Sequence, residues 1–159
     1  MAIRAAGAIA GVIVLLLTAF VIGMRWKLPP VINALRRFNR SVTNPRMLRT
    51  AGAAGEQTSV IEHVGRKSGR TYQTPVDFVP SRTGFLVALP YGTQADWVQN
   101  VLAAGSATVV TDGERLDVDG PTIVATADVA DLIPSRTLRT LKLFKVEECL
   151  RLERVPAQA

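Results

Sequence analysis

The sequence predicts an α+β chain: a small antiparallel β-barrel or roll preceded by an N-terminal transmembrane helix. Three observations predict it. An uncharged stretch runs from Ala5 to Met24, short strand-like runs separated by turn signals fill the part after Glu56, and one helical stretch is inserted among them. Strands joined as hairpins around a single helix point to an antiparallel barrel or roll, not to a parallel doubly wound sheet. A chain of 159 residues is long enough for one such domain and too short for two.

The uncharged run contains Val12-Ile13-Val14-Leu15-Leu16-Leu17 and Phe20-Val21-Ile22. Twenty helical residues at ~1.5 Å each span roughly 30 Å, the thickness of a bilayer's hydrocarbon core. A cleaved signal peptide has a shorter apolar region ending at a small-x-small site. Here the run ends in Arg25-Trp26-Lys27, a tryptophan between cations as at a membrane interface. Residues 1–27 are therefore assigned as an anchor. Arg4 lies on one side of it and Arg25, Lys27, Arg36, Arg37 and Arg40 on the other, which predicts a single-pass protein of the cell membrane with its domain on the cytoplasmic side.

Charge is divided unevenly along the chain. Residues 1–55 carry eight Lys/Arg and no Asp/Glu, while residues 56–159 carry eleven Lys/Arg against thirteen Asp/Glu. The formal +6 thus resides in the N-terminal arm, which points to a membrane surface and not to nucleic acid. Within residues 28–55, Val31, Leu35, Phe38 and Val42 fall on one helical face, with Arg36, Arg37 and Arg40 mostly off it. Two placements are open for this juxtamembrane helix: flat on the headgroups, or packed on the domain. Thr50-Ala51-Gly52-Ala53-Ala54-Gly55 reads as a flexible linker, and the folded domain is assigned to residues 56–159.

Thr58 to Val64 and Thr71 to Val79 are β-rich runs, and Gly84 to Leu89 is apolar enough for a central strand. Thr93 is the expected N-cap of a helix over about Gln94 to Ala104, with Gly105 as its C′ residue. Asp112-Gly113 between Ala107–Thr111 and Glu114–Val118 is the strongest hairpin signal. Ile123 to Thr126 is a further strand, and Asp128 to Leu143 is helical with an interruption near Pro134. Val146 to Leu152 either closes the sheet or ends as a helix.

Between the first two strands lies Gly65-Arg66-Lys67-Ser68-Gly69-Arg70-Thr71-Tyr72. Glycines at both ends permit positive φ and close backbone approach, and Arg66, Lys67 and Arg70 supply charge-assisted donors for phosphate or carboxylate oxygens. The loop reads as an anion clamp or, equally, as a solvated basic turn. It is not a P-loop, because Arg66 and Ile61 stand where that motif needs glycine, and no GxGxxG follows a strand. His63 is the only histidine and Cys149 the only cysteine, which excludes a His/Cys metal cluster and a disulfide. A lone strand histidine is more often structural than a general base, and Ser68 has no evident activating partner. A site rich in anion-binding groups and poor in nucleophiles suits an enzyme whose cofactor performs the chemistry.

The blocks Glu62-His63-Val64-Gly65-Arg66-Lys67-Ser68-Gly69-Arg70, Thr74-Pro75-Val76, Val87-Ala88-Leu89-Pro90-Tyr91-Gly92 and Ala95-Asp96-Trp97-Val98-Gln99-Asn100 resemble the deazaflavin-dependent nitroreductase family over roughly residues 28–155. The resemblance implies a split β-barrel, like that of FMN-binding oxidoreductases, holding coenzyme F420, whose reduced form passes a hydride to nitroaromatics, quinones or other unsaturated acceptors. Carried over by position, it places Arg66, Lys67 and Ser68 on the coenzyme's phosphate and glutamyl tail. It sets Tyr72, Gln73, Thr74, Pro75, Val76 and Asp77 under the deazaflavin and its ribityl chain. Ala88, Leu89, Pro90 and Tyr91 would line the ring, and Asp96, Trp97, Val98, Gln99 and Asn100 would cover it.

Two departures bear on function. Asp77 is an acid beside a polyanionic coenzyme, so it is expected at the ring or the barrel edge. The tyrosine cluster of the best-known nitroreductases is missing, since the chain has only Tyr72 and Tyr91. With a membrane anchor, a lipid-dissolved acceptor such as a menaquinone becomes the leading expectation. Tyr91, or an ordered water, is the candidate proton donor. A split-barrel enzyme using FMN and a non-enzymatic membrane-tethered carrier of F420 or lipid are the alternatives.

Overall fold

The computed structural model describes residues 2–156. Met1 of the predicted anchor and residues 157–159 of the predicted domain lie outside the described residues, as do the side chains of residues 2–8, Arg4 included, and of residue 10. The chain is α+β, with a single curled antiparallel sheet. Helices α1 (Ala2–Arg25) and α2 (Pro29–Phe38) lead through a π turn (Asn39–Thr43) into the short α3 (Asn44–Met47). The strands are β1 (Ser59–Val64), β2 (Thr71–Val76), β3 (Val79–Pro80), β4 (Gly84–Ala88), β5 (Ser106–Thr111), β6 (Glu114–Ala125) and β7 (Glu148–Arg154). Helix α4 (Asp96–Ala104) is inserted after β4, and a 3-10 turn (Thr126–Val129) and α5 (Ser135–Leu143) lie between β6 and β7.

All ladders are antiparallel, in the order β2-β1-β5-β6-β7-β4-β3. The two edge strands are neighbours in the chain, separated only by Asp77 and Phe78. In a flat sheet, six spacings of ~4.8 Å would hold β2 and β3 roughly 29 Å apart. Three Cα–Cα steps from Val76 to Val79 reach at most about 11 Å. The sheet therefore curls until its edges approach each other, leaving an open seam, since no ladder joins β2 to β3 among the described residues. Phe78 holds the link from inside, stacked at a tilt on Phe85 with centroids 5.2 Å apart, and Asp77 holds it from outside by accepting from Thr58 Oγ1 at 3.0 Å.

Alternation along the strands separates two cores. Ile61, Phe85, Val87, Val109, Val118, Leu150 and Leu152 pack inside the curl with Val98 and Val101 of α4. Leu86 and Cys149 face outward, under Val129, Ile133, Leu141 and Val146 of the turn and α5. Glu62 stitches four strands: it accepts from Gln73 on β2 and Arg115 on β6, and its own strand pairs with β5. The hydrogen bonds from Arg115 and then Gln73 hold the Glu62 carboxyl below the usual carboxylate range.

Several local expectations are corrected. The strand expected to run on to Val79 stops at Val76 and resumes as β3, because the edge-to-edge link intervenes. Ala95, not Thr93, precedes α4 as N-cap, and it makes no side-chain cap; Thr93 instead accepts from Gln99 Nε2 through its carbonyl. Gly105 does end the helix, at φ 72°. The Asp112-Gly113 turn has φ 51° and 79°, and β6 continues past Val118 through an irregularity near Gly120 to absorb the run Ile123–Ala125. The linker is not free. Gly113 N donates to Gly52 O, Gly52 N to Thr58 O and Gly55 N to Asp112 Oδ1, so residues 52–55 are tied to the hairpin tip.

The predicted anchor segment corresponds to one continuous helix, α1 (Ala2–Arg25). Among the described residues, no single helix is long and apolar enough to cross a membrane. Gly11–Arg25 and Pro29–Met47, bent by 100°, meet length and composition together. The bend is built at Gly23, where a Cβ would press on Val31, and at Lys27, whose φ is 49°. The described apolar side chains of α1 are largely exposed, Leu15 at 68% and Leu17 at 58%.

Among the glycines described, Gly84 has the least room for a side chain, since an added Cβ would collide with Leu152 O across the β4/β7 ladder. Gly84→Ala is expected to cost about 2–3 kcal/mol of stability by overpacking, read as a lower urea midpoint at unchanged m-value.

Candidate functional site

A cleft of about 1460 Å³ runs beside the seam, between the α2–α3 arm, the Gly65–Ser68 loop, β2, the end of β4 and the start of α4. The basic loop is held in shape by backbone bonds from Gly65 N to Arg70 O and from Gly69 N to Gly65 O, both 2.8 Å. Its glycines serve different ends. Gly69 supplies positive φ (65°), whereas Gly65 is needed for proximity: a Cβ there would sit 2.5 Å from Ser68 Oγ and 2.6 Å from Tyr72 Cε2.

The loop is attached to the barrel through Asn100. Arg66 N and Nη1 both donate to Asn100 Oδ1, at 3.2 and 2.8 Å. The Asn100 amide must then give its hydrogens to His63 Nδ1, 3.2 Å away. That leaves His63 Nε2 as the protonated nitrogen, donating to Thr74 Oγ1 at 3.1 Å. Thr74 lines the cleft, and with an acceptor site of its hydroxyl occupied by His63, its own proton remains available to an occupant. His63 is 5% exposed, and burial pushes its pKa down to about 4. The histidine is thus a neutral structural link between loop and floor, not a general base.

Arg66 is further engaged by Asp96, with Nη2 to Oδ1 at 3.3 Å. Asp96 is two-thirds exposed, so this pair contributes only about 0–1 kcal/mol and a stronger anion can displace it. Lys67 and Ser68 also line the cleft, and Ser68 Oγ lies 3.1 Å from Tyr72 OH. Arg70, expected in the clamp, is exposed and does not line the cleft.

Of the other residues read from the sequence, Tyr72, Gln73, Thr74, Pro75, Val76 and Asp77 form one wall, with Ala88, Pro90 and Tyr91 at the β4 end and Asp96, Trp97 and Asn100 at the α4 start. Leu89, Val98 and Gln99 do not line it. Leu89 and Val98 are buried in the barrel core, at 3% and 0% exposure, and Gln99 is turned to the Thr93 carbonyl. Trp97 is shared, packing on the core while lining the cleft.

Arg36 and Asn39 were not singled out from the sequence as site residues. Arg36 Nη2 donates to Tyr91 O at 2.6 Å and Asn39 Nδ2 to Tyr91 OH at 2.8 Å, so the arm packs its polar side on the domain. The tyrosine hydroxyl acts as acceptor here and keeps its own proton to donate. The π turn at Asn39 widens the helix where this contact is made. The recurring polar positions Asn33, Arg36, Arg37, Asn39 and Arg40 opposite the apolar face were the available signal. Cations along the cleft outnumber acids: Arg36, Arg37, Arg40, Arg66 and Lys67 against Asp77 and Asp96. Buried Arg36 Nε has no hydrogen-bond partner among the described residues. These residues also hold no cluster of His, Cys, Asp and Glu suited to a metal ion.

No family model matches the chain, and no curated protein matches it. Among solved structures, it is similar to the heme storage protein HutZ from Vibrio cholerae, at 13% identity over 71% of this chain and 90% of that one, with a TM-score of 0.47. It is similar to an F420-H2 dependent reductase, FDR-A, at 16% identity over 62% and 95%, TM-score 0.40. A pyridoxamine 5'-phosphate oxidase-related, FMN-binding protein from Nostoc punctiforme is similar at 12% identity over 74% and 77%, TM-score 0.40. The three are named for three different groups, and none of these likenesses assigns a ligand to this cleft.

The neutral state of His63 has a pH signature. In the unfolded chain the ring titrates near 6.5, in the fold near 4, so below 6.5 the unfolded state binds the proton first. Stability is expected to be complete above pH 6.5 and to fall as pH drops toward 4, read from urea midpoints. His63→Gln should flatten that window while leaving the separate loss from Glu62 at lower pH.

Proposed function

We propose that the protein is a membrane-anchored oxidoreductase that passes a hydride from reduced coenzyme F420 to a lipophilic acceptor such as a quinone. The observation that carries this reading is the one cleft in which a basic loop, a polar floor and an aromatic wall of Tyr91 and Trp97 come together. Its volume exceeds the roughly 300–1,000 Å³ of most small-molecule sites, which suits a long ligand. Its five cations against two acids, and the unpartnered Arg36 Nε, suit an acidic one.

Bound there, the reduced deazaflavin would supply the hydride. Lys67 and Ser68, with Arg66 released from Asp96, would hold phosphate and carboxylate groups of its tail. Thr74 would donate to an acceptor atom on the ligand, and Pro75, Val76 and Trp97 would exclude water around the ring. Tyr91, its oxygen fixed by Asn39, would give the accompanying proton to the reduced acceptor. Asp77, committed to Thr58 at the barrel edge, stays out of the tail's reach in this reading.

The exposed apolar surface of α1 and the exposed Trp26 (73%) support a membrane attachment, with the domain on the cytoplasmic side by the cation asymmetry of the sequence. A menaquinone would reach such a site from the lipid phase. A second reading, FMN in place of F420, is favoured by the existing engagement of Arg66 with Asp96 and Asn100, which leaves Lys67 as the ready cation for a single phosphate.

Titration of the purified protein with F420 and with FMN separates the two cofactors, and an acceptor screen with quinone analogues and nitroaromatics follows on the same preparation. Turnover of a quinone analogue by reduced F420 is expected. Tight F420 binding with no acceptor-dependent oxidation would instead make the protein a carrier. Arg66→Ala with Lys67→Ala is expected to weaken F420 binding roughly 100-fold or more, two charge-assisted hydrogen bonds contributing about 1.5–3 kcal/mol each. The melting temperature should fall only modestly, because the hydrogen bond from the Arg66 backbone N–H to Asn100 survives although the one from Nη1 is lost. Wild-type affinity in the double variant would refute the clamp.

A further inference from the structure

We propose that α5 is a second membrane-contact element, docking on an anionic lipid surface beside the end of α1. The proposal rests on the anchor reading above and deepens it. The joint is explicit: Arg25, the last residue of α1, donates from Nη1 to Leu143 O at 2.9 Å and to Lys142 O at 3.3 Å. These are the C-terminal carbonyls of α5, where a cation is favoured by both hydrogen bonding and the helix dipole. The last turn of α5 is thereby held within one side chain of the point where the apolar helix ends.

What α5 exposes there is chemically of one kind. Residues 132–146 carry four cations, Arg136, Arg139, Lys142 and Lys145, and no acid; Asp131 and Glu147 are the nearest. Arg136, Arg139 and Leu143 recur at i, i+3 and i+7 on one helical face, and all three are exposed, Leu143 at 52%. The opposite face is occupied, with Leu141 in the outer core and Leu138 packed against it. Across the joint, Trp26 and Leu28 are exposed beside Lys27. An exposed tryptophan and leucines among cations form a surface that matches the headgroup region of an anionic bilayer.

Docking here has a consequence for the site, because α5 belongs to both surfaces. Thr137 and Leu141 line the cleft together with Ile133 and Pro134. An α5 resting on the headgroups brings this mainly apolar part of the cleft to the lipid boundary, where a lipid-dissolved acceptor enters without crossing water.

The test uses the full chain reconstituted in nanodiscs of phosphatidylcholine alone or mixed with phosphatidylglycerol. A nitroxide is placed at Leu143→Cys and, as a reference, at exposed Asp119→Cys; buried Cys149 is shielded from the label. Accessibility to oxygen and to a water-soluble nickel chelate is then measured. In anionic discs the Leu143 label is expected to lose nickel accessibility and gain oxygen accessibility relative to Asp119. The shift should shrink in neutral discs, in high salt, and in Arg136→Glu with Arg139→Glu. The lipid and salt comparisons leave the fold of the protein untouched. A label that stays as wet as at Asp119 in discs that contain the protein overturns the docking and leaves the anchor standing. Failure of the chain to enter any disc overturns both.

Discussion

Everything in this molecule depends on the two-residue connection between β2 and β3. These strands stand at opposite ends of the ladder order, yet only Asp77 and Phe78 separate them, so the sheet has no choice but to curl. Curling creates an inside, filled by alternate residues of the strands and by α4, and it leaves a seam where the edges meet without pairing. The cleft lies along that seam. A flat sheet of the same strands would carry the basic loop and the β4 end too far apart to line one cleft.

The second constraint is the hydrogen-bond chain from Thr74 through His63 and Asn100 to Arg66. Each member has one orientation that satisfies its neighbours, and burial keeps the imidazole neutral so that the chain keeps its direction. The mobile-looking basic loop is in this way locked to the barrel floor. Its cations are presented from a fixed base, and the exposed pair between Arg66 and Asp96 is weak.

The N-terminal arm joins the site from outside the barrel. Arg36 and Asn39 fasten Tyr91, and Arg25 fastens α5, so attachment of the arm and geometry of the cleft are one problem. The arm and the seam together shape a space that neither encloses alone.

Much of the strand pattern was legible in the residues. Asp112-Gly113 announces its own turn because both positions need left-handed φ, Gly105 ends α4 for the same reason, and the apolar run from Gly84 marks a buried central strand, whereas the run from Val146 left strand and helix both open. The basic loop and the block Asp96 to Asn100 were equally visible as candidate site segments. What the sequence by itself determined is this set of local elements and the uneven distribution of charge and apolar length between arm and domain. Tertiary structure alone decided which of those residues meet. That Val98 is core while Asn100 lines the cleft, that Arg70 turns away, that His63 links loop and floor, and that Arg36 and Asn39 reach Tyr91 all follow from curling and from contacts 34 to 55 residues apart in the chain. Local propensity carries no record of such distances, because it acts within a few residues, whereas the curl is imposed by the order in which the strands pair.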